Sequence, residues 1–376
     1  MSRQKIQIAC IVGTRPEIIK MAPVFFKLNA CSWAKPFLIN TAQHRGLLDD
    51  MLEVFKLTPD FDFNIMLENQ TLSKLASNLC LKLDDFFNTH QFQAILAVGD
   101  TTTVFISALI AFYHKIPFGH IEAGLRTFNK YQPFPEEINR VLAAPLATWH
   151  FAPTKDEKKN LMRENINKDS IFITGNTVID ALYWILENRK KKLLPVLSPA
   201  RRFIVVTAHR RENHGKILIN ICKAILMLSH RFTDVDFILP VHPNPNVQHV
   251  IEKHLSNQPN IYLIAPLKYD AFAHLMKYST LMLTDSGGIQ EEASALHKPV
   301  VIMRNCTERP AIIQKGLGLL AGTRTESIVA AVSELLTNES LYQKMIGKSS
   351  PYGDGHAAET IVEILEKSLR KQAKKN

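Results

Sequence analysis

The sequence predicts two doubly wound α/β domains, and three observations lead there. At 376 residues the chain exceeds one ordinary core. Short, continuously apolar runs alternate with helical patterns throughout. That alternation stops at a charged, proline-containing stretch and then starts again. In the first series, IQIACIV (6–12), PFLINT (36–41), AILAVGD (94–100), PFGHIEAG (117–124) and SIFITGN (170–176) read as strands running into loops. Their unbroken apolarity suits parallel strands buried on both faces. Helical segments separate them, such as RPEIIKMAPVFFKLNA, where Pro16 suits a first turn. ENRKKKLLPVLSPARR (187–202) reads as the linker. The second series is FIVVTAH (203–209), DFILPVH (236–242), IYLIAPL (261–267), LMLTDSGG (281–288) and PVVIMR (299–304).

Composition narrows the class of protein. With 46% hydrophobic and 21% charged residues the chain reads as globular, and no apolar run approaches the roughly 20 residues of a membrane span. The N-terminus lacks the apolar core and cleavage site of a signal peptide. Cys10, Cys31, Cys80, Cys222 and Cys306 are odd in number and never in CxxC spacing, which points to reduced thiols in a cytoplasm and to no metal site. The net charge of +10 raises nucleic acid as a partner. The basic clusters RKKK (189–192) and KSLRKQAKKN at the C-terminus are peripheral, however, and no basic run alternates with aromatics, so no nucleic-acid partner is expected.

Polar clusters follow the strands. Gly13-Thr14-Arg15, Asp100 to Thr103 and Glu122 do so in the first half; His209 to Glu212, His242 and Asp285 to Gly288 do so in the second. Ligands of doubly wound sheets gather at the carboxyl ends of strands, so an interdomain cleft lined by both sets is the expectation. In TDSGGIQEEASAL, Ser286 is placed as an N-cap, and Gly287 and Gly288 permit close backbone approach at a helix N-terminus suited to phosphate. Glu292, one turn on, is placed to reach ribose hydroxyls. The alternative is a glycine turn for tight packing, with Glu291 and Glu292 solvated. Arg309 either adds a cation or forms an ion pair. GxGxxG is absent after the first strand, and GDGHAA (353–358) has no room for a βαβ unit. A P-loop is missing too. No redox cofactor or P-loop hydrolysis is expected.

The segments GTRPEIIKMAP, TAQHR, GDTTT, HIEAGLRT, PFPEEINR, IFITGNTVIDAL, TAHRREN, LTDSGGIQEEA, TERP and PYGDG run from Gly13 to Gly355 in one order. In that order the chain resembles the non-hydrolysing bacterial UDP-N-acetylglucosamine 2-epimerases. The resemblance implies a glycosyltransferase-B-like fold of two Rossmann-like domains. The first would span 1–185 with a C-terminal helix, 357–376, crossing back to it; the second would span 200–356. It implies cytoplasmic interconversion of UDP-GlcNAc and UDP-ManNAc for surface polysaccharide, by a homodimer, without a cofactor. Family catalytic positions fall on Asp100, Glu122, Glu136 and His209. Nucleotide-sugar positions fall on Arg15, Lys20, Leu267, Phe272, Ser286, Gly287, Gly288, Glu292 and Arg309, with only a main-chain contact expected at Leu267. Positions of a second, activating UDP-GlcNAc fall on Gln43, Gln70, Arg210 and His242. Gly46 and Asn69 stand where some members have Gln and Arg, so activation is expected to be weakened or lost.

The chemistry wants these residue types. The C2 hydrogen of an acetamido sugar is barely acidic until the C1–O bond breaks and C1 gains oxocarbenium character. Cations and helix amides can hold the departing UDP. Mutual repulsion and burial could raise one of Asp100, Glu122 and Glu136 for proton transfer. His209 could shuttle a proton or donate to phosphate. Other roles are open: Asp100 could cap the following helix, Glu136 or Glu137 could be first-turn acids, and His209 a satisfied strand-end histidine. The same handle for the nucleotide would serve a glycosyltransferase, a hydrolysing epimerase or a non-catalytic sensor.

Overall fold

The structure, a computed structural model, describes residues 5–43, 45–67, 70–190, 201–208, 210 and 213–372. Asn69 and His209 lie outside the described residues, as do 191–200 of the stretch read as a linker. The chain divides into two compact units, Met1–Trp184 with Tyr352–Asn376, and Ile185–Pro351.

The first unit carries a seven-stranded sheet: β1 (Ile6–Val12), β2 (Ala34–Asn40), β3 (Phe61–Asp62), β4 (Ala94–Val98), β5 (Phe118–Ile121), β6 (Trp149–Ala152) and β7 (Ile171–Ile173), in the order β3-β2-β1-β4-β5-β6-β7. The second carries β8 (Arg202–Thr207), β9 (Val235–Pro240), β10 (Ile261–Ile264), β11 (Leu281–Thr284), β12 (Val300–Ile302) and β13 (Gly318–Leu320), ordered β10-β9-β8-β11-β12-β13. Neighbouring strands pair in parallel in both sheets. The reason is visible in burial: β4 is buried at all five positions, which only a sheet covered by helices on both faces allows. Leu79, Leu83, Ile95 and Phe118 pack in one core; Ile221, Leu228, Phe237 and Leu283 pack in the other.

In each sheet the chain reverses its direction of growth once, between β1 and β4 and between β8 and β11. Those two pairs are the switch points, where crevices open beyond the strand ends. Among the described residues no helix is long and apolar enough to cross a membrane, and no cluster of His, Cys, Asp or Glu is placed to hold a metal ion.

The helix Ala357–Gln372 belongs to the first unit. Trp149 Nε1 donates to Ser368 Oγ at 3.0 Å. The amides of Ala357 and Ala358 donate to the Asp180 carboxylate at 3.3 and 2.8 Å, which caps the helix start. Asp180 is buried, and burial pushes its carboxyl up to about 6 against the pull of those amides. The fold therefore favours the protonated form: that stability is complete below about pH 4 and is lost as pH rises through about 6. Asp180→Asn stays neutral, so its urea midpoint should rise relative to the unsubstituted chain between pH 4 and 7. A difference independent of pH would contradict this.

Candidate active site

Three loops close on one another at the first switch point. A Cβ on Gly13 would lie 2.2 Å from Thr41 Oγ1 and 2.7 Å from Thr103 Oγ1, so only glycine fits. Thr103 donates its amide (3.3 Å) and its hydroxyl (2.8 Å) to Gln43 Oε1. Glu17, not singled out by sequence, accepts from the amides of Gly13 (2.6 Å) and Thr14 (2.8 Å) and from the Thr101 hydroxyl. Its burial pushes the carboxyl up to about 7 although all three bonds pull it down. Arg15, half-buried, opens the helix Arg15–Ala30, which also carries Lys20.

Lys20 Nζ lies 2.5 Å from both oxygens of Glu122, and Asn176 Nδ2 donates to Glu122 Oε1 at 3.0 Å. Glu122 follows β5 directly and holds φ of 64°, a left-handed conformation costing about 1–2 kcal/mol in a residue with a Cβ. Asp100 follows β4. It does not cap the helix Thr102–Tyr113, whose N-cap is Thr101. Its Oδ2 instead accepts Arg140 Nε (2.9 Å) and Nη2 (2.6 Å), while Asn139 Nδ2 donates to its carbonyl at 2.9 Å. Arg140 also donates to Glu137 at 2.9 Å, and Glu137 accepts from the amides of Thr127 and Phe128. Burial works against the Arg140 charge, but Asp100, Glu137 and Glu122 together raise its pKa. Asp100 and Glu122 thus share one electrostatic cluster around a guanidinium, so their mutual repulsion is offset. Glu136 starts the helix Glu136–Ala143, and its Oε2 is buried with no hydrogen-bond partner among the described residues. His120 Nε2 lies 2.8 Å from the Gly99 carbonyl, and burial lowers its pKa to about 4, so it is a neutral donor steadying the Asp100 loop.

The second switch point is built differently. Thr207 and Thr284 hydroxyls meet at 2.6 Å across β8 and β11. Asp285 Oδ2 accepts the Arg210 amide (3.0 Å) and Asn213 Nδ2 (2.9 Å). Ser286 occupies the N-cap of the helix Gly287–Ala295, but its side chain makes no capping bond. A Cβ on Gly287 would stand 3.5 Å from Arg309 Cζ and 3.6 Å from Arg210 Nη2; one on Gly288 would meet nothing within 4 Å among the described residues. Two guanidiniums therefore flank a helix N-terminus that opens on two glycines, an arrangement suited to an anion.

Glu291 is buried rather than solvated, and it accepts from Arg309 Nε at 2.5 Å. Arg309 is thus both ion-paired and beside the glycines. Arg210 pairs with Glu308 at 3.2 Å, and Arg304 pairs with Glu308 at 2.6 Å. Burial opposes the Glu308 charge, yet Arg304 and Arg210 pull its carboxyl down to about 2. Glu292 is buried and accepts the Tyr269 hydroxyl at 2.5 Å. Tyr269 heads the helix Tyr269–Tyr278 that bears Phe272, with Leu267 in the loop before it. His242 is exposed after β9, its Nδ1 accepting the Asn244 amide at 3.1 Å. Gln70 has a buried Oε1 with no partner among the described residues.

Two parallel α/β sheets with polar switch points define a glycosyltransferase-B-like protein, and solved structures of that architecture match over nearly the whole chain. The sequence profile of the UDP-N-acetylglucosamine 2-epimerase family matches residues 27–366. A UDP-N-acetylglucosamine 2-epimerase of Neisseria meningitidis is 44% identical, covering 96% of this chain and 100% of the relative. One from Bacillus subtilis is 46% identical over 96% of this chain and 95% of its own. A crystal structure of the Neisseria meningitidis UDP-GlcNAc 2-epimerase bound to UDP-GlcNAc gives a TM-score of 0.89 at 44% identity, over 96% and 100% of the two chains. The chain belongs to the UDP-N-acetylglucosamine 2-epimerase family.

Arg140, Asn176, Glu17 and Tyr269 were missed by sequence. Arg140 left a signal through its i,i+3 spacing from Glu137, and Glu17 left one through its capping-box spacing from Thr14. The two glycine environments predict opposite outcomes. Gly13→Ala should destabilise by about 1–3 kcal/mol through overpacking, whereas Gly288→Ala should stay within about 0.5 kcal/mol. Chemical denaturation of both variants checks this, and equal losses would contradict it.

Proposed function

We propose that this chain is a non-hydrolysing epimerase that interconverts UDP-GlcNAc and UDP-ManNAc at C2. The observation that carries the reading is the cluster of Asp100, Glu122 and Arg140 at the ends of β4 and β5, in a member of this family. A nucleotide handle alone would serve a glycosyltransferase equally well. Glu122 on Lys20 and Asp100 on Arg140 would supply what proton transfer at carbon needs in addition.

In the proposed reaction the C1–O bond breaks first and its electron pair leaves with the β-phosphate of UDP. A carboxylate takes the C2 proton, and the C–H electrons form the C1=C2 double bond of 2-acetamidoglucal. A proton is then delivered to C2 from the opposite face, and the UDP oxygen bonds again to C1. Atoms and electrons balance with no redox partner.

In the second unit Arg309, with the Ser286 to Gly288 amides, would hold the diphosphate, an electrostatic contribution that is usually large. Glu292 would accept from the ribose, with Leu267 and Phe272 beside the nucleoside. In the first unit Arg15 and Lys20 would bind substrate. Asp100, Glu122 and Glu136 would form the acid/base set, with His209 donating to phosphate or shuttling a proton. Lys20 and Asn176 favour the charged form of Glu122, and Arg140 fixes Asp100. A second UDP-GlcNAc on Gln43, Gln70, Arg210 and His242 would find Gln43 Oε1 already engaged by Thr103. The product would feed surface polysaccharide from the cytoplasm, and the assembly would be a homodimer.

UDP-GlcNAc incubated alone with the protein in deuterated water should yield UDP-ManNAc carrying deuterium at C2, read by NMR. Free ManNAc with UDP would mark a hydrolysing enzyme, an unchanged sugar a binding protein, and retained C2 hydrogen a different mechanism. Asp100→Asn and Glu122→Gln should each lower kcat by about 10²–10⁴-fold with smaller changes in KM.

A further inference from the structure

We propose that Glu17 is a positioning residue whose buried carboxylate latches the Gly13–Arg15 loop to the Asp100–Thr101 loop, so that a phosphate-binding group and an acid/base carboxylate keep one geometry. The proposal rests on the reading of Asp100 given above.

Thr14 and Glu17 have the spacing of a capping box, whose glutamate returns to the N-cap amide. Such a role needs one amide and can be met at the surface. Glu17 does more. Its Oε2 takes the amides of both Gly13 and Thr14, and its Oε1 takes the hydroxyl of Thr101, 84 residues further along. It is 2% exposed, and burial pushes its carboxyl up to about 7, a cost that an exposed cap would not carry.

Thr101 shows the same diversion from the other side. It is the N-cap of the helix Thr102–Tyr113, yet its side chain makes no capping bond there. A hydroxyl cap that accepts a helix amide is worth about 1 kcal/mol; the Thr101 hydroxyl accepts none there and donates to Glu17. The tightness of the junction supports the same conclusion, since Gly13 has no room for a Cβ between Thr41 and Thr103. Asp100 directly precedes Thr101. Arg140 and Asn139 hold it from the helix Glu136–Ala143, and Glu17 holds the other side of its peptide. Freed of Glu17, Thr101 and Asp100 can shift relative to Arg15, and a displacement of about 1 Å can cost about 10²-fold in rate.

The test compares Thr101→Val, Thr101→Ser and Glu17→Gln with the unsubstituted full chain, measuring kcat, KM, UDP affinity and thermal midpoint. Thr101→Val removes the hydroxyl at nearly constant shape; kcat should fall by about tenfold or more, with KM and UDP affinity within about threefold. Thr101→Ser keeps the hydroxyl and should recover most of kcat. Glu17→Gln keeps an oxygen for the two amides and should fall between them. A Thr101→Val kcat within twofold of the unsubstituted value overturns the proposal, as do equal losses in the Val and Ser variants. A loss of kcat matched by the loss of folded protein also overturns it, because that is a purely structural role. If the unsubstituted protein makes no UDP-ManNAc, the reading beneath the proposal fails first, and the latch falls with it.

Discussion

Burying a carboxylate costs several kcal/mol unless opposite charge or hydrogen bonds replace the lost water, and this chain buries Glu17, Glu122, Glu137, Asp285, Glu291 and Glu292. That requirement shapes both switch points. Glu122 is answered by Lys20 and Asn176, Glu137 by Arg140 and two amides, Glu291 by Arg309, and Glu292 by Tyr269. Glu17 has hydrogen bonds but no paired cation among the described residues, and burial dominates there, raising its carboxyl to about 7. Glu308 is the reverse case. Two arginines outweigh a partial burial and its carboxyl falls to about 2. Glu17 and Glu308 thus differ both in depth and in the cations beside them, and their carboxyls move in opposite directions.

The two units arrange their charges differently. In the second, anions orient guanidiniums, leaving Arg210 and Arg309 beside the bare start of the helix Gly287–Ala295. Such a place suits an anion. In the first, cations orient carboxylates at the ends of β4 and β5. The backbone of Glu122 is held in a conformation that L-residues avoid, a local cost met by the ion pair and by the surrounding sheet.

The fold class was legible because parallel strands buried on both faces leave an apolar run that polar residues seldom interrupt. IQIACIV became β1 residue for residue, and the other runs differed mainly in where the loop began. WHFA, which forms β6, is not among the runs read as strands, and it carries His150 within it. In the fold that ring is buried and lies 2.8 Å from the Ala144 carbonyl through Nε2, a partner no local pattern reveals. β3 and β13, of two and three residues, are too short to carry a period. The loop positions of Asp100, Glu122 and Gly287 were legible for the same reason as the strands they follow. Their partners were not: Lys20 meets Glu122 across 102 residues of sequence, and Arg140 meets Asp100 across 40. Only the folded sheet brings them together.

The central claim is that the C1–O bond of the nucleotide sugar breaks and re-forms in each turnover. UDP-GlcNAc carrying 18O in the bridge between C1 and the β-phosphorus tests it through 31P NMR of the sugar nucleotides recovered at partial conversion. If UDP departs and returns, its β-phosphate rotates in between. The label should then appear in non-bridging positions at a rate comparable to epimerisation. Epimerisation with the label kept in the bridge would contradict the account.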